Sequence, residues 1–287
     1  MTLPSSAPAL ELTSGELRLA LLPAIGGAVA GFWRGDVPVL RSPDPATIAT
    51  ARDGASFALA PFSNRLGFCR FRWHGRDHRI VANVPGTPHA LHGVAWMRAW
   101  QVLESGADSA ALRYVHQADE YWPFDFTLEQ QLVLTPTALE HRLRFTNTAA
   151  EPQPVGLGFH PYFAKRPRSR MHVECAERWE TDPTQLPTRK VAQAGIDGDV
   201  AHLGFDHCFE GWRGAARIRD EKLSLKLTSS LPYLMVYTPD PANYFCVEPV
   251  SHVPNAIHMA EPAAHGLLSL GAGESTEAWM KLEVAPA

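Results

Sequence analysis

The sequence lacks a dominant charge of either sign and a composition typical of disorder. Its 287 residues carry 26 Lys and Arg against 30 Asp and Glu, a formal net charge of −4. Proteins that bind nucleic acids draw much of their affinity from neutralising phosphates, so this balance argues against a nucleic-acid partner. Hydrophobic residues make up 45% of the chain. A chain of this length and composition is able to bury a sizeable core.

Cysteine is scarce, and no CxxC pair is present. The count is too low for a disulfide scaffold in a chain this long. Histidine is more frequent, but the closest approach to a ligand spacing, His89 and His92, has no Cys or Asp beside it. We therefore predict no metal site, and buried free thiols in a reducing compartment at Cys69, Cys175, Cys208 and Cys246.

A charge-free apolar run, Leu19–Trp33, is too short for a membrane span. Crossing a bilayer takes roughly 20 residues, and Pro23, Gly26 and Gly27 interrupt this run. The first basic side chain is Arg18, which is late for the positively charged start of a secretory signal. We expect a soluble, cytoplasmic protein without a membrane partner.

Period-2 alternation of apolar and polar residues recurs along the chain. In Leu139–Thr146 the side chains of Leu139, His141, Leu143 and Phe145 share one face, and charged residues occupy the other. This alternation is typical of antiparallel strands with one buried face. Similar strands are predicted at Glu16–Leu22, Leu128–Leu134, Lys222–Thr228, Leu234–Thr238 and Ala278–Val284.

Turn residues separate these strands, and no stretch keeps helical periodicity for about 10 residues. The chain has 21 glycines and 24 prolines, clustered at turns such as Asp182-Pro183 and Gly271-Ala272-Gly273. Internal repeats and low-complexity linkers are absent. The sequence therefore predicts an all-β fold, a large antiparallel β-sandwich, in a single domain over residues 1–287.

Common catalytic signatures are also missing from the sequence, including GxSxG, HExxH, the P-loop and a GxGxxG after a strand. Polar residues collect instead where a plain sandwich would not need them. The segments concerned are Pro61–Gly67, Leu91-His92-Gly93, Gly158–Phe163, Phe205–Phe209 and Val247–Asn255.

Two of these segments hold a candidate acid and base. Glu248 lies in the apolar stretch Tyr244–Pro249, where a carboxylate is unfavourable unless it is paired or its raised proton affinity is used. It could also be a strand-end residue that reaches water. His160 ends an apolar strand before Pro161, and it is either a turn residue or a functional one. His92 is similar, because Gly93 permits a close approach of backbone or ligand.

Asn64, Arg65 and Asp206 complete the candidate set. Arg supplies planar donors suited to vicinal hydroxyls or a carboxylate, and Asp accepts from two hydroxyls at once. Aromatic residues that would suit a sugar-binding cleft, and equally a β core, are Trp96, Trp122 and Phe124.

Taken in this order, the segments resemble the aldose 1-epimerase (galactose mutarotase) family. The resemblance runs from about residue 15 to the end of the sequence. HPYF with LHG before it and a late Glu is specific as a combination, although each piece is common alone. The matching residues are Asn64-Arg65, Leu91-His92-Gly93, Trp122-Pro123-Phe124, Gly158-Phe159-His160-Pro161-Tyr162-Phe163, Asp206, and Glu248 with Pro254-Asn255.

The resemblance implies a β-supersandwich with a sugar cleft on the concave side of a large antiparallel sheet. It also implies a cofactor-independent isomerase that interconverts the α and β anomers of an aldohexose. Glu248 would be the general base, His160 the general acid, and His92 would assist near the ring oxygen. The sugar hydroxyls would be held by Arg65, beside Asn64, and by Asp206.

Other functions stay open. Arg70, Arg72 and Arg76 would favour a phosphorylated sugar if they face the cleft, as in the related hexose-6-phosphate 1-epimerases, and are otherwise solvated. The basic run Lys165–Arg170 is a solvated loop or a phosphate-contacting patch.

A non-catalytic carbohydrate-binding protein would keep the cleft without needing a matched acid and base. A polysaccharide lyase or hydrolase would need paired carboxylates that the sequence does not place. We expect a small-molecule sugar as the partner, and a monomer or weak homodimer.

Overall fold

The computed structural model describes residues 9–287 as β-strands joined by turns and loops, without an α-helix in that range. The strands are β1 Leu10–Ser14, β2 Leu17–Leu22, β3 Ala28–Arg34, β4 Val37–Pro38, β5 Ala58–Leu59, β6 Arg65–Leu66, β7 Arg70–Trp73, β8 Arg76–Arg79, β9 Ala90–Leu91, β10 Gln101–Ser105, β11 Ser109–His116, β12 Phe126–Thr135, β13 Ala138–Asn147, β14 Gln153–Val155, β15 Gly158–Phe159, β16 Tyr162–Ala164, β17 Arg170–Val173, β18 Glu177–Thr181, β19 Pro187–Ala192, β20 Ile196–Asp199, β21 Asp206–Glu210, β22 Ala215–Arg219, β23 Leu223–Ser229, β24 Tyr233–Tyr237, β25 Tyr244–Val250, β26 Leu268–Leu270 and β27 Ser275–Pro286. Short 3₁₀ turns lie at Pro45–Thr47, Ala51–Asp53, Gly67–Cys69, Ala95–Met97, Val200–His202, Ala256–His258 and Pro262–His265.

Two large antiparallel sheets form the body of the protein. One has nine strands in the order β10-β11-β12-β13-β27-β23-β22-β17-β20. The other has eight, in the order β19-β18-β21-β24-β25-β15-β5, with β16 also paired to β25. A four-stranded sheet, β1-β2-β3-β4, precedes them in the chain. The predicted all-β antiparallel sandwich is confirmed.

Alternation along the strands builds the core between the two sheets. Leu143 and Phe145 of β13 are buried in one cluster with Phe245 and Val247 of β25. Polar residues on the opposite face of β13, such as Arg144, are exposed. The predicted strands are present with ends shifted by a few residues, because each had an apolar face to bury.

The eight-stranded sheet has a second buried face, turned away from that core. Since successive side chains alternate, Cys246 and Glu248 of β25 point opposite to Phe245 and Val247. We call this surface the site face; it carries a separate buried cluster with Cys246, Met235 and Cys208.

The apolar run Leu19–Trp33 forms the hairpin of β2 and β3, with Gly26 and Gly27 in the turn between them. Both glycines have positive φ, which the tight turn requires. None of the helical turns in residues 9–287 is long and apolar enough to cross a membrane.

All four cysteines are free, but the prediction that they are buried holds for only two. Cys208 and Cys246 are buried on the site face, whereas Cys69 and Cys175 are partly exposed. Cys69 lies in the 3₁₀ turn Gly67–Cys69, and Cys175 lies just after β17. Neither is therefore inside a strand.

The core predicts a clear contrast between two leucines on strands. Leu227 of β23 is fully buried, and Leu103 of β10 is 42% exposed. We expect Leu227→Ala to lower the free energy of unfolding by about 2–5 kcal/mol, because it removes buried methyl groups and leaves a cavity. Leu103→Ala, the matched control, should change it by no more than about 0.5 kcal/mol. Urea denaturation measures both, and equal losses would contradict this assignment of the core.

Candidate active site

Glu248 is a carboxylate held inside the protein by its strand. β25 faces the core with Phe245 and Val247, so Glu248 lies on the site face, opposite Met235 of β24. It is 4% exposed. Its Oε1 lies 3.5 Å from Nε2 of His160, and its Oε2 has no hydrogen-bond partner. One carboxylate oxygen is therefore buried without a hydrogen-bond partner.

His160 directly follows β15, and two aromatic rings hold its imidazole. Phe57 stacks on one side, with ring centroids 4.7 Å apart, and Tyr162 stacks at 4.5 Å. The main-chain N–H of His160 donates to the carbonyl of Phe57 at 3.1 Å. This stacking leaves the ring little rotational freedom, and its Nδ1 has no partner. Of the two aromatic residues that follow Pro161, Tyr162 lies against the imidazole, whereas Phe163 packs in the core.

Burial governs the protonation of both groups. It lowers the pKa of His160 to about 3, an effect to which Arg52 and Arg41 add. Burial also raises the pKa of Glu248 well above its ordinary value, and the charge of Asp206 raises it further. At pH values between the pKa of His160 and that of Glu248, the two groups hold one proton in total. Burial favours the form in which both are neutral, with the proton on Glu248.

His92 lies at a right angle to His160, with ring centroids 5.0 Å apart. Its Nδ1 accepts a hydrogen bond from the main-chain N–H of Asn64 at 3.1 Å. Burial keeps the pKa of His92 well below its usual value, so the ring is neutral and carries its proton on Nε2. His92 is thereby a hydrogen-bond donor. A side chain at Gly93 would collide with the carbonyl of Ala60, which explains the glycine.

Asn64 and Arg65 act as a unit. The Asn64 Oδ1 accepts from the Arg65 main-chain N–H at 2.9 Å and from its Nη1 at 3.1 Å. Burial lowers the pKa of Arg65, while the negative charges of Asp206 and Glu248 oppose that effect. The guanidinium therefore lies within electrostatic range of both carboxylates. Its Nη2 donates a hydrogen bond to the side chain of Gln185.

Asp206 begins β21 and lies opposite Tyr237 of β24, on the same face as Glu248. Burial raises the pKa of its carboxyl, and Arg65 lowers it in part. Asp206 also lines an open cavity of about 480 Å³ together with Gln185 and Phe205. A ligand can thus reach this carboxylate from solvent.

Left-handed backbone conformations cluster in the loops around these side chains. Asn64, His92 and Asn255 have φ of 53°, 61° and 59°. The side chain of Asn255 accepts from the Gly67 N–H at 2.9 Å, which ties two of the loops together. Non-glycine residues adopt this region at a cost, and they do so most often at functional sites.

The structure brings the six candidate residues into one connected group. It separates the aromatic candidates: Trp96 lies on the site face near Phe57, with rings 6.1 Å apart, whereas Trp122 and Phe124 are buried in the core. The ring of Trp122 packs against Phe62 and Phe71, so the structure assigns these two aromatic residues to the core.

The arginines named from the sequence do not border the site with free charges. Arg72 pairs with Asp77 and Arg76 with Glu151, on the exposed hairpin of β7 and β8. Arg70 is solvent-exposed on the same hairpin. Within Lys165–Arg170 the solvated-loop prediction is wrong for Arg166, which forms an ion pair with the buried Asp220 at 2.6 Å.

Sequence reasoning missed Phe57, Arg41 and Arg52. Phe57 packs near both histidine rings, with centroids 5.9 Å from that of His92 and 4.7 Å from that of His160. The two arginines act on His160 by their charge. None of the three belongs to a motif, and only the folding of the chain brings them to the site.

One group of side chains within residues 9–287 has donors near enough together for a metal ion. His160, Cys246 and Glu248 each offer an atom within 4.8 Å of the others. Imidazole, thiolate and carboxylate are zinc ligands, but burial raises the pKa of Cys246 well above its usual value and disfavours the thiolate. The absence of a metal stays a prediction.

Comparison with known proteins identifies relatives of the whole chain. Residues 8–283 match the family model for aldose 1-epimerase. The uncharacterized protein YphB of Escherichia coli K12 is 32% identical, over 95% of this chain and 97% of its own length.

Solved structures show the same fold. A putative aldose 1-epimerase from E. coli K12 superposes with a TM-score of 0.89 at 31% identity, covering 98% of this chain and 99% of that one. A galactose mutarotase-like protein from Clostridium acetobutylicum gives 0.84 at 18% identity, with 97% and 95% covered.

The buried pair predicts an unusual titration for His160. Because burial lowers its pKa to about 3, its imidazole should stay neutral from about pH 5 to pH 8, where an ordinary histidine titrates. ¹⁵N NMR of the histidine rings measures this, and His160→Gln assigns the signal by its loss. A His160 resonance that titrates near pH 6.5 would contradict the electrostatics described above.

Proposed function

The chain belongs to the aldose 1-epimerase family, and we propose that it is a cofactor-independent isomerase that interconverts the α and β anomers of an aldohexose. One observation carries the proposal: His160 and Glu248 form a buried acid–base pair, 3.5 Å apart, with an unpartnered atom on each. A structural role for the pair would leave those atoms unexplained, because buried polar atoms are normally satisfied.

The reaction needs two proton carriers. Ring opening takes the proton from the C1 hydroxyl and gives one to the ring oxygen, so that the C1–O5 bond breaks and C1 becomes a carbonyl. Rotation about C1–C2 then presents the other face of the carbonyl. Closure reverses both proton transfers. In this scheme Glu248 is the base at the C1 hydroxyl and His160 the acid at the ring oxygen.

The pair holds one proton, which suits a reaction without net proton uptake. In the free protein the neutral form predominates, with the proton on Glu248. Transfer to His160 produces the carboxylate and imidazolium that start the reaction, and the reverse step returns the pair to its resting form. No oxidation state changes, so these proton carriers suffice.

The neighbouring residues supply binding. Arg65, oriented by Asn64, presents planar donors to sugar hydroxyls, and Asp206 accepts from them. His92 donates from Nε2 toward the ring oxygen, since its Nδ1 is already engaged. The sugar would lie between these groups over the site face.

Replacing the proposed base tests the function. We expect Glu248→Gln to lower the rate of anomerisation by about 10²–10⁴-fold, because the amide cannot take the C1 proton. Polarimetry of freshly dissolved α-D-glucose and α-D-galactose measures the rate. Glu104→Gln, in the fully exposed strand β10, is the matched control and should keep wild-type activity.

Near-full activity of Glu248→Gln would contradict the assignment of Glu248 as the base. A wild type that binds a hexose in calorimetry but accelerates neither sugar would instead indicate a carbohydrate-binding protein without turnover.

The electrostatics predict how the pH profile responds to Asp206. Above the pKa of Glu248 the pair loses its only proton, so kcat/KM falls on the alkaline side. That pKa is raised by burial and also by the negative charge of Asp206. Asp206→Asn removes the second cause, and the alkaline limb of kcat/KM should therefore move to lower pH.

The same profile for Asp108→Asn, in an exposed loop, provides the control and should match wild type. An alkaline limb that stays in place or moves to higher pH in Asp206→Asn would contradict the coupling between Asp206 and the pair.

A further inference from the structure

Arg41 lies one ring away from the proposed general acid. Its Cζ is 3.8 Å from the ring centroid of Tyr162 and 4.7 Å from that of Tyr244. Tyr162 is the ring that stacks on His160. The aromatic faces favour a cation here, so the guanidinium is held close to the imidazole without touching it.

Arg52 lies next to Arg41 in the structure. The Nη2 of Arg41 donates to the main-chain carbonyl of Arg52 at 2.6 Å. The Arg52 Cζ is 6.0 Å from the ring of Trp96. Trp96 in turn neighbours Phe57, whose ring packs against the imidazole of His160 with centroids 4.7 Å apart. Each guanidinium group thus lies beside an aromatic ring of the group packed around His160.

These two positive charges have no carboxylate partner within residues 9–287. The ion pairs of the structure engage other arginines, and the Asp53 carboxylate next to Arg52 accepts instead from Thr50. Arg41 donates only to main-chain carbonyls, and the Arg52 guanidinium makes no hydrogen bond to the described residues. Both residues are partly exposed.

The charges around the pair are divided between its members. Besides burial, the pKa of Glu248 responds to Asp206 and Arg65, whereas that of His160 responds to Arg52 and Arg41. The histidine end of the site is therefore positive, and the glutamate end carries the mixed charges proposed to bind hydroxyls.

The chemistry of a pyranose places C6 at the histidine end. The ring oxygen is bonded to C1 and C5, and C5 carries C6. A sugar whose ring oxygen meets His160 and whose C1 hydroxyl meets Glu248 extends C6 past the imidazole, away from Glu248. Guanidinium donors match the oxygens of phosphate or carboxylate groups.

Resting on the proposed function, we infer that Arg41 and Arg52 bind an anionic substituent at C6, so that the substrate is an aldohexose carrying a phosphate or a carboxylate at that position.

A bound oxyanion would also assist the chemistry. The positive charges of Arg52 and Arg41 add to burial in lowering the pKa of His160. An anion between them offsets that effect and favours the imidazolium that protonates the ring oxygen. An anionic substrate should therefore have a higher kcat as well as a lower KM than the neutral sugar.

The test compares three sugars on three proteins. Anomerisation of α-D-glucose, α-D-glucose 6-phosphate and α-D-glucuronate is followed by ¹H NMR of the anomeric protons, with the uncatalysed rate of each sugar subtracted. The proteins are wild type, Arg52→Gln, and Arg72→Gln as the matched control from the exposed β7–β8 hairpin. Circular dichroism and the thermal midpoint confirm that both variants fold.

We expect wild type to favour at least one anionic sugar over glucose by about 10- to 100-fold in kcat/KM, as for one or two charge-assisted hydrogen bonds. Arg52→Gln should lose most of that preference, and Arg72→Gln should keep it. The better of the two anionic sugars identifies the oxyanion as phosphate or carboxylate.

If the wild type has a kcat/KM for glucose that equals or exceeds the values for both anionic sugars, the inference is overturned and the proposed function stands. An equal loss on all three sugars in Arg52→Gln would do the same. If no sugar is anomerised, the proposed function fails, and calorimetry decides the charge site by itself: weaker binding of glucose 6-phosphate to Arg52→Gln than to wild type supports the site, and equal binding overturns it.

Discussion

Burial of an imidazole beside a carboxylate is the constraint on which the rest of the site depends. His160 and Glu248 lie 3.5 Å apart in surroundings that disfavour charge on either. Such a pair reduces the stability of the fold, since each group leaves a buried polar atom unsatisfied. The rings of Phe57 and Tyr162 pack against the imidazole and keep it in place.

The sandwich supplies the rigidity that this arrangement needs. Strand β25 is anchored through Phe245 and Val247 in the core, and its alternation turns Cys246 and Glu248 toward the other face. A one-residue slip in register would move Glu248 into the core, so packing of the apolar face specifies the position of the carboxylate. Sites built on strands in this way are more precise than sites on loops alone.

Loops complete the site by bringing distant segments together. Asn64 links His92 to Arg65, because its main-chain N–H donates to His92 and its side chain orients Arg65. The left-handed conformations of Asn64, His92 and Asn255 place these groups at sharp turns. The positive end of the site forms similarly, where the turn that holds Arg52 meets Arg41.

The sequence by itself determined the strands, the sandwich and the identity of the six candidate residues, because period-2 alternation and local motifs are properties of neighbouring residues. It left open whether Trp122 and Phe124 belong to the core or the cleft, and it pointed to Arg72 and Arg76 as possible anion contacts. Only the tertiary structure decided these questions, and it alone revealed Phe57, Arg41 and Arg52. Their roles depend on which strands and turns pack together, and contacts between residues far apart in the chain leave no local pattern to read.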